Sequence, residues 1–159
     1  MERSLYDTLC GNWSVNRAID DRTALQQGTF AGTAQFSGED HTLHYREEGS
    51  LSFAGTQMRA ERRYRWHCDG NQADVFYEDG TLFHQFAVTD GTASAEHLCG
   101  QDLYRGDYTF RSADTWEVTW RVSGPRKDYT SVTTYRRGRY DQVRRDENFY
   151  KTNNSLKRQ

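Results

Sequence analysis

The sequence has no long apolar run, little proline and little cysteine. One of its 159 residues is proline and three are cysteine. No apolar stretch reaches the ~18 residues of a membrane-spanning helix, and the first ten residues contain no apolar secretion signal. Cys10, Cys68 and Cys99 are odd in number and form no paired motif, so no disulfide framework is expected. We therefore expect a cytoplasmic protein with reduced thiols and no membrane partner.

An excess of positive charge is also missing. The formal net charge is −2, which argues against non-specific nucleic-acid binding by the whole domain. Only 35% of the residues are hydrophobic, yet 14% are aromatic. Because each aromatic ring buries about 150–250 Å², the core is expected to depend on Trp, Tyr and Phe. The length suits one domain with a real core, and the aromatic content argues against disorder.

What the sequence does contain is apolar alternation with a period of two. Trp13, Val15 and Ile19 alternate with polar residues, and Arg17 shares their face. Such segments recur at a spacing of about 8–12 residues, separated by Gly, Asp and Asn turns, which is typical of a sandwich or barrel. The predicted strands are 12–19, 29–37, 43–51, 58–66, 73–77, 81–87, 93–99, 103–110, 116–122 and 129–136.

Short connections between these strands favour an all-β fold, a single antiparallel up-and-down barrel of about ten strands. No helical segment separates the strands, so parallel crossovers are not expected. A short helix is predicted over 4–9, where Leu5 and Leu9 are four residues apart. The barrel domain is predicted over residues 1–137. Residues 138–159 form a polar, partly basic tail that we expect to be helical or disordered.

Gly11-Asn12-Trp13 opens the first predicted strand. This motif resembles the Gly-x-Trp start of the calycin barrels, which include lipocalins and fatty-acid-binding proteins. The resemblance implies that Trp13 plugs the closed end of the barrel. It also implies that a basic residue of the last strand, Arg136 or Arg137, packs across that ring.

A wider set of residues is similar to an uncharacterised bacterial and fungal family, a domain of unknown function with a calycin-like barrel. The similarity extends to about Arg137 and implies the fold without implying an activity. Its residues are Gly11-Asn12-Trp13, Arg17 with Ile19-Asp20, Tyr45 with Glu47 and Gly49, Arg63-Tyr64-Arg65-Trp66, Phe83-His84, His97 with Cys99, Asp102 with Tyr104 and Tyr108, and Gly124-Pro125-Arg126-Lys127-Asp128-Tyr129.

Charged residues occupy faces that are expected to point inward. Arg17 shares a face with Trp13, Glu47 follows Leu43 on another, and Arg62 belongs to a third. A buried charge without a partner costs several kcal/mol, so these residues must pair, meet water or face a ligand. Two interpretations stay open: an interior network that fills a water-containing barrel, or a polar pocket for the head group of a small molecule.

The pocket interpretation predicts a binding module for a polar or anionic, partly aromatic or amphipathic small molecule. The basic turn before Tyr129 would lie at the mouth or, alternatively, be an ordinary solvated turn. The residues expected to fix the head group are Arg17, Glu47, Arg62, Arg126 and Lys127. The residues expected to form the walls are Trp13, Tyr45, Tyr64, Trp66, Trp120 and Tyr129.

The alternative is an enzyme that uses the same cavity without an organic cofactor, as a hydrolase, lyase or isomerase. His84 or His97 would be the acid-base residue, with Glu47 as its partner. Strand register decides whether His84 or Phe83 points inward. His97 and Cys99 share a strand face, but no metal-binding spacing accompanies them, so no metal site is expected. A third hypothesis is an interaction barrel whose basic tail meets a partner, and the oligomeric state stays open.

Overall fold

A computed structural model describes residues 3–138, and within them one short helix precedes ten strands. The predicted tail, apart from Gly138, lies outside the described residues. The elements are α1 (Leu5–Leu9), β1 (Gly11–Asp21), β2 (Gln26–Glu39), β3 (Thr42–Phe53), β4 (Thr56–Asp69), β5 (Gln72–Tyr77), β6 (Leu82–Ala87), β7 (Thr92–Cys99), β8 (Asp102–Ser112), β9 (Thr115–Ser123) and β10 (Asp128–Arg137).

The strands form one antiparallel meander that curls into a nearly closed barrel. The order is β6-β5-β4-β3-β2-β1-β10-β9-β8-β7, so β1 pairs with both β2 and β10. Strands β6 and β7 do not form a continuous ladder with each other, and the bridge between Thr89 and Thr92 lies in the turn that joins them. We call this gap the β6–β7 seam. The architecture confirms the predicted all-β up-and-down barrel of about ten strands with a short N-terminal helix.

Alternation along each strand directs one face to the interior. In β1 the side chains of Trp13, Val15 and Arg17 are buried, whereas those of Ser14 and Asn16 are exposed. A period of two places successive side chains on opposite faces of a strand. The burial of aromatic rings on these inward faces builds the core, as the aromatic-rich composition predicts.

The helix and Arg137 close one end of the barrel. Ser4 caps α1 by accepting a hydrogen bond from the Asp7 amide at 3.1 Å. The indole Nε1 of Trp13 donates to the carbonyl oxygen of Leu9 at 2.8 Å. The guanidinium of Arg137 lies 4.3 Å from the centre of the Trp13 ring and donates to the carbonyl of Thr8. Of the two basic residues expected at this position, Arg137 is therefore the one that covers Trp13.

A pair of glycines lets β2 and β3 approach closely near Glu47, a buried residue of β3. Gly32 and Gly49 lie opposite each other in the register of the two strands. A Cβ atom on Gly32 would overlap the carbonyl oxygen of Glu48. Glycine therefore allows the two strands to lie close together next to Glu47.

Within residues 3–138, no helix is long and apolar enough to cross a membrane.

Candidate functional site

The barrel encloses a cavity of about 520 Å³, within the range of about 300–1,000 Å³ that is typical of small-molecule sites. Its lining reaches the strand ends opposite α1, at Asp21, Phe53 and Tyr77. Aromatic rings dominate the wall. They are Phe30, Tyr45, Phe53, Tyr64, Trp66, Tyr77, Phe83, Tyr104, Tyr108, Trp116, Trp120, Tyr129 and Tyr135.

A buried ion pair crosses the interior between β1 and β3. Arg17 donates two hydrogen bonds to the Glu47 carboxylate, at 2.9 and 2.7 Å, and its Nε donates to Thr133 Oγ1 at 2.8 Å. Tyr45 donates to the same carboxylate at 2.6 Å. Burial alone would raise the pKa of Glu47, but the hydrogen bonds and charge of Arg17 hold it below its usual value. Glu47 is therefore ionised, and Arg17 neutralises it.

Arg62 is the second arginine of the cavity lining. Its Nε lies 4.0 Å from Glu47 Oε2, too far for a hydrogen bond, and 53% of its side chain is exposed. Among residues 3–138, no other carboxylate forms an ion pair with Arg62. The lining thus contains one arginine that is neutralised at short distance, Arg17, and one that is held only loosely, Arg62.

A β-bulge turns two adjacent residues of β6 toward the cavity. Val75 pairs with His84, but Phe76 pairs with Leu82, so Phe83 is an extra residue in the strand. Both Phe83 and His84 consequently line the cavity. Strand alternation alone would turn only one of these two residues inward, but the bulge turns both inward.

His84 is buried and bound to a phenol rather than to a carboxylate. Its Nε2 lies 2.7 Å from the Tyr108 hydroxyl, and the residue is 3% exposed. Burial, with a smaller contribution from the charge of His97, lowers the pKa of His84 to about 3. The imidazole is therefore neutral near pH 7. Within residues 3–138, no hydrogen bond or ion pair joins either His84 or His97 to Glu47.

Stacked rings cover the inner side of the β6–β7 seam. The ring of Phe83 stacks on Trp120 with centroids 5.1 Å apart and on Tyr77 at 4.9 Å. The rings of His84 and His97 contact Phe83 edge-on, at 4.4 and 5.4 Å. His97 contacts this cluster without belonging to the cavity lining. Phe83, Trp120 and Tyr77 are partly exposed, so they present ring surface to the cavity.

Most of the predicted site residues meet in the cavity. Those that line it are Arg17, Tyr45, Glu47, Arg62, Tyr64, Trp66, His84, Trp120 and Tyr129. Two others lie elsewhere in the barrel: Trp13 at the closed end and His97 beside the seam. Trp13 has the closed-end position under Arg137 that the calycin resemblance implies, and it is not a wall of the cavity. His97 does not line the cavity, because Phe83 occupies the wall next to it.

The two basic residues of the β9–β10 turn also lie outside the cavity lining. Arg126 is exposed to solvent. Lys127 lies 3.3 Å from Asp102 Oδ2 and donates to the Tyr104 hydroxyl at 3.2 Å. The ion pair turns the ammonium group of Lys127 toward the neighbouring turn. These two side chains were expected to fix a head group, but neither of them lines the cavity.

Tyr108 and Tyr135 are lining residues that the sequence analysis did not select. Tyr135 shares a strand face with Thr133 and Ser131, and its ring stacks on Trp116 at a centroid distance of 3.8 Å. The alternation along β10 could have predicted that Tyr135 points inward.

In the described residues, no three His, Cys, Asp or Glu side chains are grouped closely enough to hold a metal ion.

The fold and the cavity define a class: an antiparallel barrel with an aromatic interior that surrounds a buried ion pair. The chain belongs to a family of unknown function, DUF6314, whose pattern matches residues 9–137. No curated protein has a sequence that matches this chain.

Several solved structures match this chain, among them the following two. The S-type phycobiliprotein lyase from Guillardia theta is 9% identical, with a TM-score of 0.63 over 87% of this chain and 94% of its own. A protein of unknown function from the DUF3598 family of Nostoc punctiforme PCC 73102 is 14% identical, with a TM-score of 0.57 over 86% of this chain and 51% of its own. At these identities the similarity concerns the fold alone.

Proposed function

We propose that this protein binds a small, flat, anionic aromatic molecule in its cavity, and that Arg62 meets the anionic group. The observation that carries the proposal is the unequal treatment of the two arginines of the lining. Arg17 is held by Glu47 at 2.7 Å, whereas Arg62 approaches the same carboxylate only to 4.0 Å. The guanidinium of Arg62 is therefore free to bind a second anion.

Charge counting around the ion pair favours an anionic ligand. Arg17 and Glu47 cancel each other. The other charged lining residues are Arg62 and Asp21. The Asp21 carboxylate accepts hydrogen bonds from the Thr23 and Ala24 amides in the turn after β1, so Arg62 is the cation of the lining that is not held at short distance. A hydrogen bond to a charged group contributes about 1.5–3 kcal/mol. A guanidinium also matches a carboxylate through two parallel N–H groups. We expect a carboxylate to be the best occupant of this position.

The ring surfaces of the wall favour a flat apolar body for the ligand. Phe83 stacks on both Trp120 and Tyr77, and all three rings are partly exposed. An aromatic ring packed on such a surface gains about 0.5–1.5 kcal/mol beyond the area it buries. The phycobiliprotein lyase of Guillardia theta is a barrel of similar fold.

An enzymatic use of the cavity would require a different arrangement from the predicted His–Glu partnership. Glu47 is bound by Arg17 and Tyr45, and His84 is bound by Tyr108. Hydrolase, lyase or isomerase chemistry would therefore have to use the His84–Tyr108 pair. Binding without turnover is the better supported function. The Glu47 carboxylate is held by Arg17 and Tyr45, and within residues 3–138 it contacts neither histidine, so it cannot exchange a proton with them directly.

Isothermal titration calorimetry with two matched probes tests the proposal. 2-Naphthoate carries the carboxylate, and 2-naphthamide replaces it by a neutral group of similar shape. We expect the wild-type protein to prefer the carboxylate by at least about tenfold. In Arg62→Gln, naphthoate binding should weaken by about 10- to 100-fold while naphthamide binding stays the same.

Arg63→Gln is the matched control, because Arg63 is the neighbouring arginine on the opposite face and pairs with Glu61 at 2.9 Å. It should leave both affinities unchanged. The proposal fails if neither probe binds, or if Arg62→Gln weakens the two probes equally. Native mass spectrometry of protein purified from its own cells would then identify the natural ligand by a mass that is lost on denaturation.

A cytoplasmic location also belongs to the proposal. Cys68 and Cys99 carry free thiols, and Cys68 is fully buried. Free thiols are typical of reducing compartments. Fractionation of the source cells, followed by detection of the full chain, would test the location directly, and recovery outside the cytoplasm would contradict it.

A further inference from the structure

The direction of one buried hydrogen bond determines which chemical group the cavity can accept beside Tyr135. Tyr45 Oη lies 2.6 Å from Glu47 Oε1 and 2.9 Å from Tyr135 Oη. A phenol has one proton to donate. The Glu47 carboxylate is ionised and can only accept, so the proton of Tyr45 is donated to Glu47. The contact between the two tyrosines then requires Tyr135 to donate to Tyr45.

Both phenols keep their protons over the whole physiological range. Burial, reinforced by the negative charge of Glu47, raises the pKa of Tyr135 to about 12. The pKa of Tyr45 is raised well above its ordinary value, again chiefly by burial. The relay therefore runs in one direction, from Tyr135 through Tyr45 to Glu47.

Tyr135 consequently presents an acceptor to the cavity and no donor. Its proton is used by Tyr45, and within residues 3–138 no other group is hydrogen-bonded to its oxygen. The residue is 5% exposed and lines the cavity. Its ring is held parallel to Trp116, with an angle of 5° between the planes. A fixed, buried oxygen with an unused lone pair is best satisfied by a ligand that donates a hydrogen bond.

Tyr108, the other deeply buried phenol of the wall, imposes no such direction. Its partner is His84 Nε2, which either donates or accepts according to the tautomer of the imidazole. Tyr108 can therefore turn either a donor or an acceptor toward a ligand. The two phenols therefore differ in their hydrogen bonding although both line the same cavity, and only Tyr135 is restricted to accepting from a ligand.

We infer that the occupant of the cavity is a hydroxylated aromatic acid, whose hydroxyl group donates a hydrogen bond to Tyr135 Oη. This inference rests on the function proposed above and adds the class of ligand to it. The carboxylate of the molecule is assigned to Arg62, the flat body to the rings beside the seam, and the hydroxyl to the end of the Tyr135–Tyr45–Glu47 relay.

The test uses 5-, 6- and 7-hydroxy-2-naphthoate, each compared by calorimetry with 2-naphthoate and with its own methyl ether. We expect at least one hydroxyl isomer to bind the wild-type protein about 3- to 10-fold more tightly than 2-naphthoate. The methyl ether keeps the oxygen but has no proton to donate, so it should lose the advantage. Tyr135→Phe should abolish the preference for the hydroxyl. Tyr6→Phe is the matched control, because Tyr6 does not line the cavity and its hydroxyl donates to the Gly38 carbonyl oxygen, and it should preserve the preference.

Each result has a defined meaning. Tyr135→Phe keeps the ring that stacks on Trp116, and thermal unfolding followed by tryptophan fluorescence verifies that both variants are folded. If the naphthoates bind but no hydroxyl isomer is preferred, the inference is wrong and the proposed function stands. The inference is also wrong if the preference survives Tyr135→Phe or disappears in Tyr6→Phe. If no naphthoate binds at all, both proposals are wrong.

Discussion

Arg17 and Glu47 face each other inside the barrel through two parallel hydrogen bonds of 2.9 and 2.7 Å. Moving a charged group out of water costs several kcal/mol, and only good geometry with additional hydrogen bonds compensates for this loss. Thr133 and Tyr45 supply those additional bonds. The charge is therefore cancelled within the wall, which separates the role of Arg17 from that of Arg62.

Breaking this pair from one side should strongly destabilise the barrel. Arg17→Met leaves Glu47 buried without its cation, and we expect the free energy of unfolding to fall by about 3–5 kcal/mol. Urea denaturation followed by tryptophan fluorescence measures the change. The double variant Arg17→Met, Glu47→Gln removes both charges and should recover more than half of the loss. A loss below about 1 kcal/mol in the single variant would mean that the pair is solvated in solution.

His84 should make the barrel less stable as the pH falls below neutral. Its pKa is about 3 in the folded protein and about 6.5 in an unfolded chain. Between these values the unfolded state binds a proton that the folded state rejects, so the free energy of unfolding declines with decreasing pH. The slope should approach about 1.4 kcal/mol per pH unit below pH 6.5 and vanish above it.

Denaturant unfolding between pH 5 and pH 7 is the measurement for this slope. The window avoids the contribution of Glu47, whose lowered pKa contributes stability that is complete above about pH 4.3 and is lost only at more acidic pH. His84→Gln should flatten the profile. His44→Gln replaces an exposed histidine of β3 and should leave it unchanged. A flat wild-type profile would contradict a buried neutral imidazole.

The fold was largely predictable from local alternation. The period of two at Trp13, Val15 and Arg17 predicted a strand, and it lies within β1. Strand ends were harder to predict: the second strand was predicted over 29–37, whereas β2 covers Gln26–Glu39. The added residues at both ends are polar or glycine, and all but Gly28 are exposed, so no apolar pattern marks them. Hydrogen bonds to the neighbouring strands extend β2 there.

The site was predictable in its residues but less so in its contacts. Arg17 and Glu47 were predicted to face inward, and they do. Their pairing depends on the way the barrel curves, which no local pattern reports across 30 residues of separation. The β-bulge that turns both Phe83 and His84 inward has no sequence signature either. The ion pair of Lys127 with Asp102 joins two turns that are distant in sequence.

Arg137 should stabilise the closed end of the barrel. It covers the Trp13 ring and donates to the carbonyl oxygens of Thr8 and Cys10. Arg137→Met keeps an apolar stem but leaves those carbonyls without its hydrogen bonds, so we expect a loss of about 2–4 kcal/mol in the free energy of unfolding. Arg136→Met is the control, because Arg136 is exposed, and its effect should stay within about 0.5 kcal/mol. Equal effects in the two variants would contradict the assigned role.

The cysteines should report separately on the outside and the closed end of the barrel. Cys99 is exposed, whereas Cys68 is fully buried. Burial, reinforced by the negative charge of Asp74, raises the pKa of the Cys68 thiol to about 12. Because the thiolate is the reactive form, a disulfide reagent at pH 8 should modify Cys99 rapidly and Cys68 only through the small unfolded fraction.

Cys99→Ser should remove the rapid phase, and urea should accelerate the slow phase in proportion to the unfolded fraction. Both the starting protein and its Cys99→Ser variant carry Cys10→Ser, because Cys10 is half-buried and its thiol would add a third reaction to those of Cys68 and Cys99. Mass spectrometry of the modified protein assigns each phase to its residue. Rapid modification of Cys68 in the absence of urea would mean that the closed end opens in the native protein, and it would contradict the packing of α1 and Trp13 described above.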